Sequence, residues 1–169
     1  MKKSISFSIA CLMSICTMFS CTKNDDVVSN SNNNQQTGTY IDLGLSSGTK
    51  WKISDEKNPN DVEHGYFTYS ESIAKFGNKL PTLEQWMELI NECDWSGTKV
   101  IGPNGGSIRL TAVGYRNCKG SVLMGQFGHY WSYTPSGEGK AWFLNICPTS
   151  RSMQDISQCF GQSVRLVQN

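Results

Sequence analysis

The 169-residue chain has almost no excess charge, with 15 Lys+Arg against 14 Asp+Glu. Nucleic acid is thereby excluded as a partner, because no surplus of cations is present to neutralise phosphates. It has only two histidines, His64 and His129, far apart in sequence. No His-Glu-x-x-His or Cys-x-x-Cys spacing occurs, and no nucleophile elbow is expected. Nor does any acidic cluster have calcium-loop spacing. No metal site, cofactor or catalytic residue is therefore expected, and the reading is not an enzyme. There is also no apolar run long enough to span a bilayer comfortably. Disorder throughout is excluded too, since 38% of residues are hydrophobic and 11% aromatic.

The N-terminus has the features of an address. Lys2 and Lys3 precede an uncharged, Ser- and Thr-containing stretch over residues 4–20, the pattern of a secretory signal. Met18-Phe19-Ser20-Cys21 resembles a bacterial lipobox, with Met18 in place of the usual Leu and a bulky Phe19. On this reading residues 1–20 are removed and Cys21 becomes the lipidated first residue; the other reading is ordinary cleavage that leaves a free thiol. Removal takes Lys2 and Lys3 away, leaving 13 basic against 14 acidic residues, a net −1. The mature chain is then expected to have no transmembrane helix. Asp25 and Asp26 follow closely and resemble the acidic tether of Bacteroidetes-type lipoproteins, which implies an outer-membrane, cell-surface location; the other reading is a plain solvated linker. Residues 21–37 are polar and of low complexity, so a disordered tether is expected.

Residues 38–169 read as one globular domain. Strands are expected at Tyr40–Leu43, Lys50–Ile53 and His64–Tyr69, followed by a short helix over Ser70–Phe76. The main helix is expected at about 82–93: Thr82 caps it, with Gln85 three residues later forming a capping box. Leu83, Trp86, Met87, Ile90 and Cys93 make its apolar stripe, and Trp86 is the expected core anchor. Glu84, Glu88 and Glu92 make a solvated face. Further strands are expected at Val100–Ile101 and Ser107–Leu110 as a hairpin, then at Tyr130–Thr134, Ala141–Ile146, Arg151–Ile156 and Ser163–Val167. Trp142, Leu144 and Ile146 share one expected face, and Val164 and Leu166 another. Tyr130 and Trp131 put aromatics on both faces of one strand, so Trp131 is expected in a core buried on both sides. The fold class is α+β, with helices on twisted antiparallel sheets.

Several segments together resemble one family. They are Tyr40–Leu45 with Ser47–Trp51, then Leu80-Pro81-Thr82 with Trp86 and Glu88-Leu89-Ile90. Gly114–Asn117, Tyr130-Trp131-Ser132 and Gly161–Arg165 follow in order. The chain over about residues 39–168 is similar to the Fibrobacter succinogenes major paralogous domain family, distant kin of formylglycine-generating enzymes. The resemblance implies a C-type-lectin-like fold whose chain ends meet, Ile41–Leu43 beside Val164–Val167. Ser54 stands where members often carry Cys, and the segment between Tyr69 and Leu80 is short, leaving less surface for a ligand. The calcium-binding Glu-Pro-Asn of true C-type lectins is absent.

Arg116 and Arg165 close two family-like segments and are read as structural, bonding loop carbonyls rather than an anionic ligand. Trp95, Lys119 and His129 lie in or beside loops and are the candidates for a ligand surface. A Cys118–His129 nucleophile pair is conceivable, but cysteines of exported domains are usually structural. With Ser54 in place of a partner, the resemblance implies that Cys93 stays a thiol. The family-like segments also imply that Cys118 and Cys159 lie at one end of the fold. A bridge between them is expected in preference to Cys147–Cys159, where a turn at 148–150 would set Cys147 opposite about Ser152. The function expected is a lipid-anchored surface binding module for a glycan or protein ligand. The alternatives are an accessory or tip subunit of a surface or fimbrial assembly and, remotely, an oxidase akin to the formylglycine-generating enzymes.

Overall fold

The computed structural model describes residues 39–169; the leader, Cys21 and the tether lie outside the described residues. The domain is α+β, two helices with short antiparallel sheets. β1 (Tyr40–Asp42) and β11 (Val167–Gln168) both pair antiparallel with β2 (Lys50–Lys52). The two ends of the domain therefore flank β2 rather than lying side by side. α1 (Tyr69–Phe76) opens on a capping box of Thr68 and Glu71, a signal the sequence reading passed over. α2 (Leu83–Glu92) opens on the expected box of Thr82 and Gln85.

β3 (Asp94–Ser96), β4 (Lys99–Ile101) and β5 (Ser107–Arg109) form a meander. β6 (Tyr115–Arg116) and β7 (Val122–Leu123) form a small hairpin. The longest elements are β8 (Gly128–Gly137), β9 (Lys140–Ile146) and β10 (Arg151–Ser157), a sheet in the order β10-β9-β8. β9 pairs with β10 over seven residues, from Arg151↔Ile146 to Ser157↔Lys140. That register sets Cys147 opposite Ser150, not Ser152. The expected strands at 64–69 and 163–167 shrink to isolated bridges, Phe67↔Gln162 and Tyr130↔Ser163, beside the short β11.

β8 and β9 are buried on both faces and divide the interior into two cores. Tyr130, Leu144 and Ile146 face the first, with Trp51, Trp86 and Leu89. Trp131, Ala141 and Phe143 face the second, with Phe67, Leu80, Val164 and Leu166. Trp131 thus sits in a core, as expected. Leu144 and Ile146 share the face toward the first core, with Trp142 half-exposed, and Ala141 and Phe143 are equally buried on the opposite face. Trp86 is fully buried, 4.7 Å from the Trp51 ring, and its Nε1–H donates to the Trp131 carbonyl at 3.3 Å.

The stripe of α2 runs along Trp86, Leu89 and Cys93, while Met87 is 44% exposed. Met87 lies one residue round from Trp86, about 100° away, so both cannot be at the centre of the buried face. Glu88 and Glu92 are not merely solvated. Glu88 accepts the Ser47 amide and hydroxyl, each at 2.7 Å, and Glu92 accepts those of Ser46, each at 3.0 Å. They tie the β1–β2 loop to the helix.

Candidate functional site

Arg165 organises the floor of the site. It is 1% exposed, and its guanidinium donates to the Lys52 and Arg109 carbonyls, each at 2.7 Å. Its Nε and Nη2 meet Asp55 Oδ1 at 2.8 and 2.6 Å. Asp55 Oδ2 accepts from the Thr111 hydroxyl and from Tyr130 at 3.0 Å. Burial and the Asp55 charge push the Tyr130 phenol well above its ordinary range, so it stays a neutral donor. Every arm of Arg165 is satisfied inside the protein, which makes it structural and leaves nothing for an anion.

The same network anchors the start of the 111–128 segment. Gly114 adopts φ +87°, and a Cβ there would come 2.0 Å from the Leu123 carbonyl oxygen, so the backbone passes where only glycine fits. Arg116 exchanges backbone hydrogen bonds with Gly161, both at 2.8 Å, and its Nη1 meets Asp61 at 2.9 Å. Cys118 is bonded to Cys159. Arg116 is therefore spoken for, and Cys118 is not a free nucleophile.

Above this fixed base the segment turns outward. Val113, Leu123, Met124 and Phe127 are all exposed, Met124 by 68%. Two clefts flank this apolar ridge. One, of about 160 Å³, is lined by Val113 and Met124 with Asp55, Glu63, His64 and Tyr66. The other, of about 430 Å³, is lined by Ala112, Gly125 and Gln126 with Arg109, Cys147 and Pro148. The first cleft carries charges of both signs, since Lys57 also lines it and Asp55 is paired with Arg165, and the second carries an arginine. Sequence reasoning missed the ridge: its apolar residues are scattered through Gly and Ser and show neither helical nor strand periodicity.

The three candidate ligand residues are not brought together by any hydrogen bond, ion pair or ring contact among the described residues. Lys119 is exposed on the 117–121 turn beside Cys118, where Asn117 Oδ1 accepts the Lys119 and Ser121 amides at 3.0 and 2.9 Å. Trp95 is half-buried on β3, with its Nε1–H on the Leu89 carbonyl and the Arg151 guanidinium 5.0 Å above its ring. His129 is corrected: it is only 8% exposed, stacked on Tyr115 at 4.5 Å and against Phe143 at 4.8 Å. Burial lowers its pKa to about 4, so it is neutral and packs as a flat ring between Tyr115 and Phe143.

The expected lack of a nucleophile elbow also needs correction at the level of letters. Gly44-Leu45-Ser46-Ser47-Gly48 has the Gly-x-Ser-x-Gly spacing. It forms a loop between two strands rather than a strand-to-helix turn, and the Ser46 hydroxyl donates to a carboxylate, Glu92. Burial raises the Cys93 thiol to about 11, which suppresses its thiolate. Among the described residues, no three His, Cys, Asp or Glu side chains group as metal ligands, and no helix is long and apolar enough to cross a membrane. No family model, curated protein or solved structure matches the chain.

Proposed function

We propose that the chain is a non-enzymatic binding module of C-type-lectin-like fold, held on the cell surface by lipid at Cys21. The observation that carries this reading is the apolar ridge of Val113, Leu123, Met124 and Phe127, exposed at its tip and locked at its base by Arg116, Gly114 and the Cys118–Cys159 bridge. Val113 and Met124 line one cleft together, and exposed apolar side chains gathered on one braced segment suit a recognition surface. The ligand is a protein rather than a glycan: the ridge offers aliphatic and thioether groups, which suit an apolar protein surface, and Phe127 is its only aromatic. Family resemblance to the Fibrobacter succinogenes major paralogous domain supports the fold. The Ser20-Cys21 junction and the polar stretch after it support the anchor.

Two experiments test the reading. Metabolic labelling with a fatty-acid analogue should mark the wild-type chain and not Cys21→Ser; equal labelling would remove the anchor. Met124→Asp with Leu123→Asp should abolish binding to host or bacterial surface protein, while Tyr133→Asp, an exposed control outside the ridge, should leave it. A strong glycan-array signal unaffected by the ridge variants would overturn the choice of ligand.

A further inference from the structure

We infer that the free edge of β10 pairs antiparallel with the same edge of a second copy of this chain. β10 is the outer strand of its sheet, seven residues long and unbroken against β9. The hydrogen-bonding parity of the ladder follows from its two ends. The Cys147 N–H donates to the Ser150 carbonyl at 2.8 Å, and the Gln158 N–H to the Gly139 carbonyl at 2.9 Å. Hydrogen-bonded and non-hydrogen-bonded pairs alternate along an antiparallel ladder. Ser152, Gln154 and Ile156 therefore turn their backbone groups toward β9, and Arg151, Met153 and Asp155 turn theirs outward. Among the described residues, these outward amides and carbonyls meet no partner. The Ser157 carbonyl is taken by the Phe160 amide at 3.2 Å, which ends the open edge.

An open edge of this kind is a template for another strand. The side chains select which strand. A two-fold pairing centred on Met153 sets Arg151 opposite Asp155 of the second copy, twice. It uses every outward group, making about six backbone hydrogen bonds. Cross-strand opposite charges stabilise a pair, whereas charges on an edge usually repel a second strand. Within its own chain the Arg151 guanidinium lies over Trp95 and its Nη2 donates to the Gly97 carbonyl at 3.2 Å, which holds the charge at this edge, while the contacts of Asp155, with Ser136 at 3.2 Å and Lys140 at 3.3 Å, both use Oδ2 and leave Oδ1 open. A chain with 15 basic and 14 acidic residues has no net field to keep copies apart.

The test uses the full chain, with Cys147→Ser to remove the half-buried thiol. In this register Ser152 faces Gln154 of the second copy in a non-hydrogen-bonded pair, whose Cα separation of about 4.5 Å suits a disulfide. Under mild oxidation, Ser152→Cys with Gln154→Cys should give a covalent dimer on a non-reducing gel, at least about fivefold more than either single variant. Adding Arg151→Asp should reduce that dimer about tenfold, and adding Asp155→Arg to it should restore the yield. Met153→Pro deletes an outward amide together with a side chain packed on the first core, whereas Met153→Ala removes the side chain alone; the proline variant should lose the dimer and the alanine variant keep it, with β9 pairing surviving in both through Ser152 and Gln154. No dimer from the double-cysteine variant, or a dimer indifferent to Arg151→Asp and Met153→Pro, overturns the inference. An adduct at the mass of a different protein also overturns it, by showing a foreign strand on the edge.

Discussion

Trp86 sits where three aromatic residues converge, 4.7 Å from Trp51 and 5.9 Å from Tyr130. Its truncation leaves a void in the first core and an unpaired Trp131 carbonyl. Trp86→Ala should cost about 3–5 kcal/mol in chemical denaturation, and Trp86→Phe about 1–2 kcal/mol for the lost hydrogen bond and part of the ring. His129 acts through pH. Its folded pKa is lowered to about 4 by burial, against 6.5 when exposed. The unfolded chain therefore binds the proton first. Stability contributed by neutral His129 is fully present above about 6.5 and is lost as pH falls toward 4, by about 3 kcal/mol in all. Measured between pH 7 and 4.5, the wild type should lose more stability than His129→Phe, which keeps the ring stack and cannot protonate. Parallel slopes for the two would show that the imidazole is solvated. Neither the burial of His129 nor its stack on Tyr115 was legible in the sequence, because a lone His after Gly128 looks like any loop residue.

At the scale of elements, legibility followed the strength of the local code. α2 is legible because Thr82 and Gln85 carry the capping box within four consecutive residues. Its buried face was read one residue off, since Met87 and Leu89 are equally apolar and only tertiary contact chooses between them. Alternation in β9 marks Leu144 and Ile146 as sharing a face but does not reveal that Ala141 and Phe143 are buried too, because cores on both sides erase alternation. β3, β6 and β7 have two or three residues each, too few to show any period. The carboxylates of α2 read as solvated because a sequence does not reveal which loop arrives beside them. Their role is open to measurement. Glu88→Ala should cost about 1–2 kcal/mol, since it leaves the Ser47 amide and hydroxyl without their acceptor. Glu84→Ala, on the exposed side of the same turn, should stay within about 0.5 kcal/mol. Hydrogen exchange at the Ser46 and Ser47 amides should quicken in the first variant and not in the second.

The molecule as a whole is held by contacts distant in sequence, and the Cys118–Cys159 bridge is the covalent one. It joins the β6–β7 turn to the turn after β10, across a separation of 41 residues. The enclosed segment contains the exposed Leu123, Met124 and Phe127 together with the whole of β8, β9 and β10. A loop of that length gives about 4 kcal/mol of stabilisation in the chain-entropy account. Both sulfurs belong to exposed residues, whereas Cys93 is buried, so a reductant reaches the bridge without unfolding the domain. Reduction under native conditions should therefore be selective. The sheets survive it, because Arg116 still exchanges its backbone pair with Gly161 and still meets Asp61. The ridge loses one of its three fixed points, keeping Arg116 and Gly114. Paired Cys118→Ser and Cys159→Ser should lower stability by about 2–4 kcal/mol in denaturant, keep the far-ultraviolet circular dichroism, and weaken ligand binding more than Tyr133→Asp does. If the double variant bound ligand as the wild type does while losing that stability, the bridge would serve the fold alone and the ridge would hold its shape through Arg116 and Gly114.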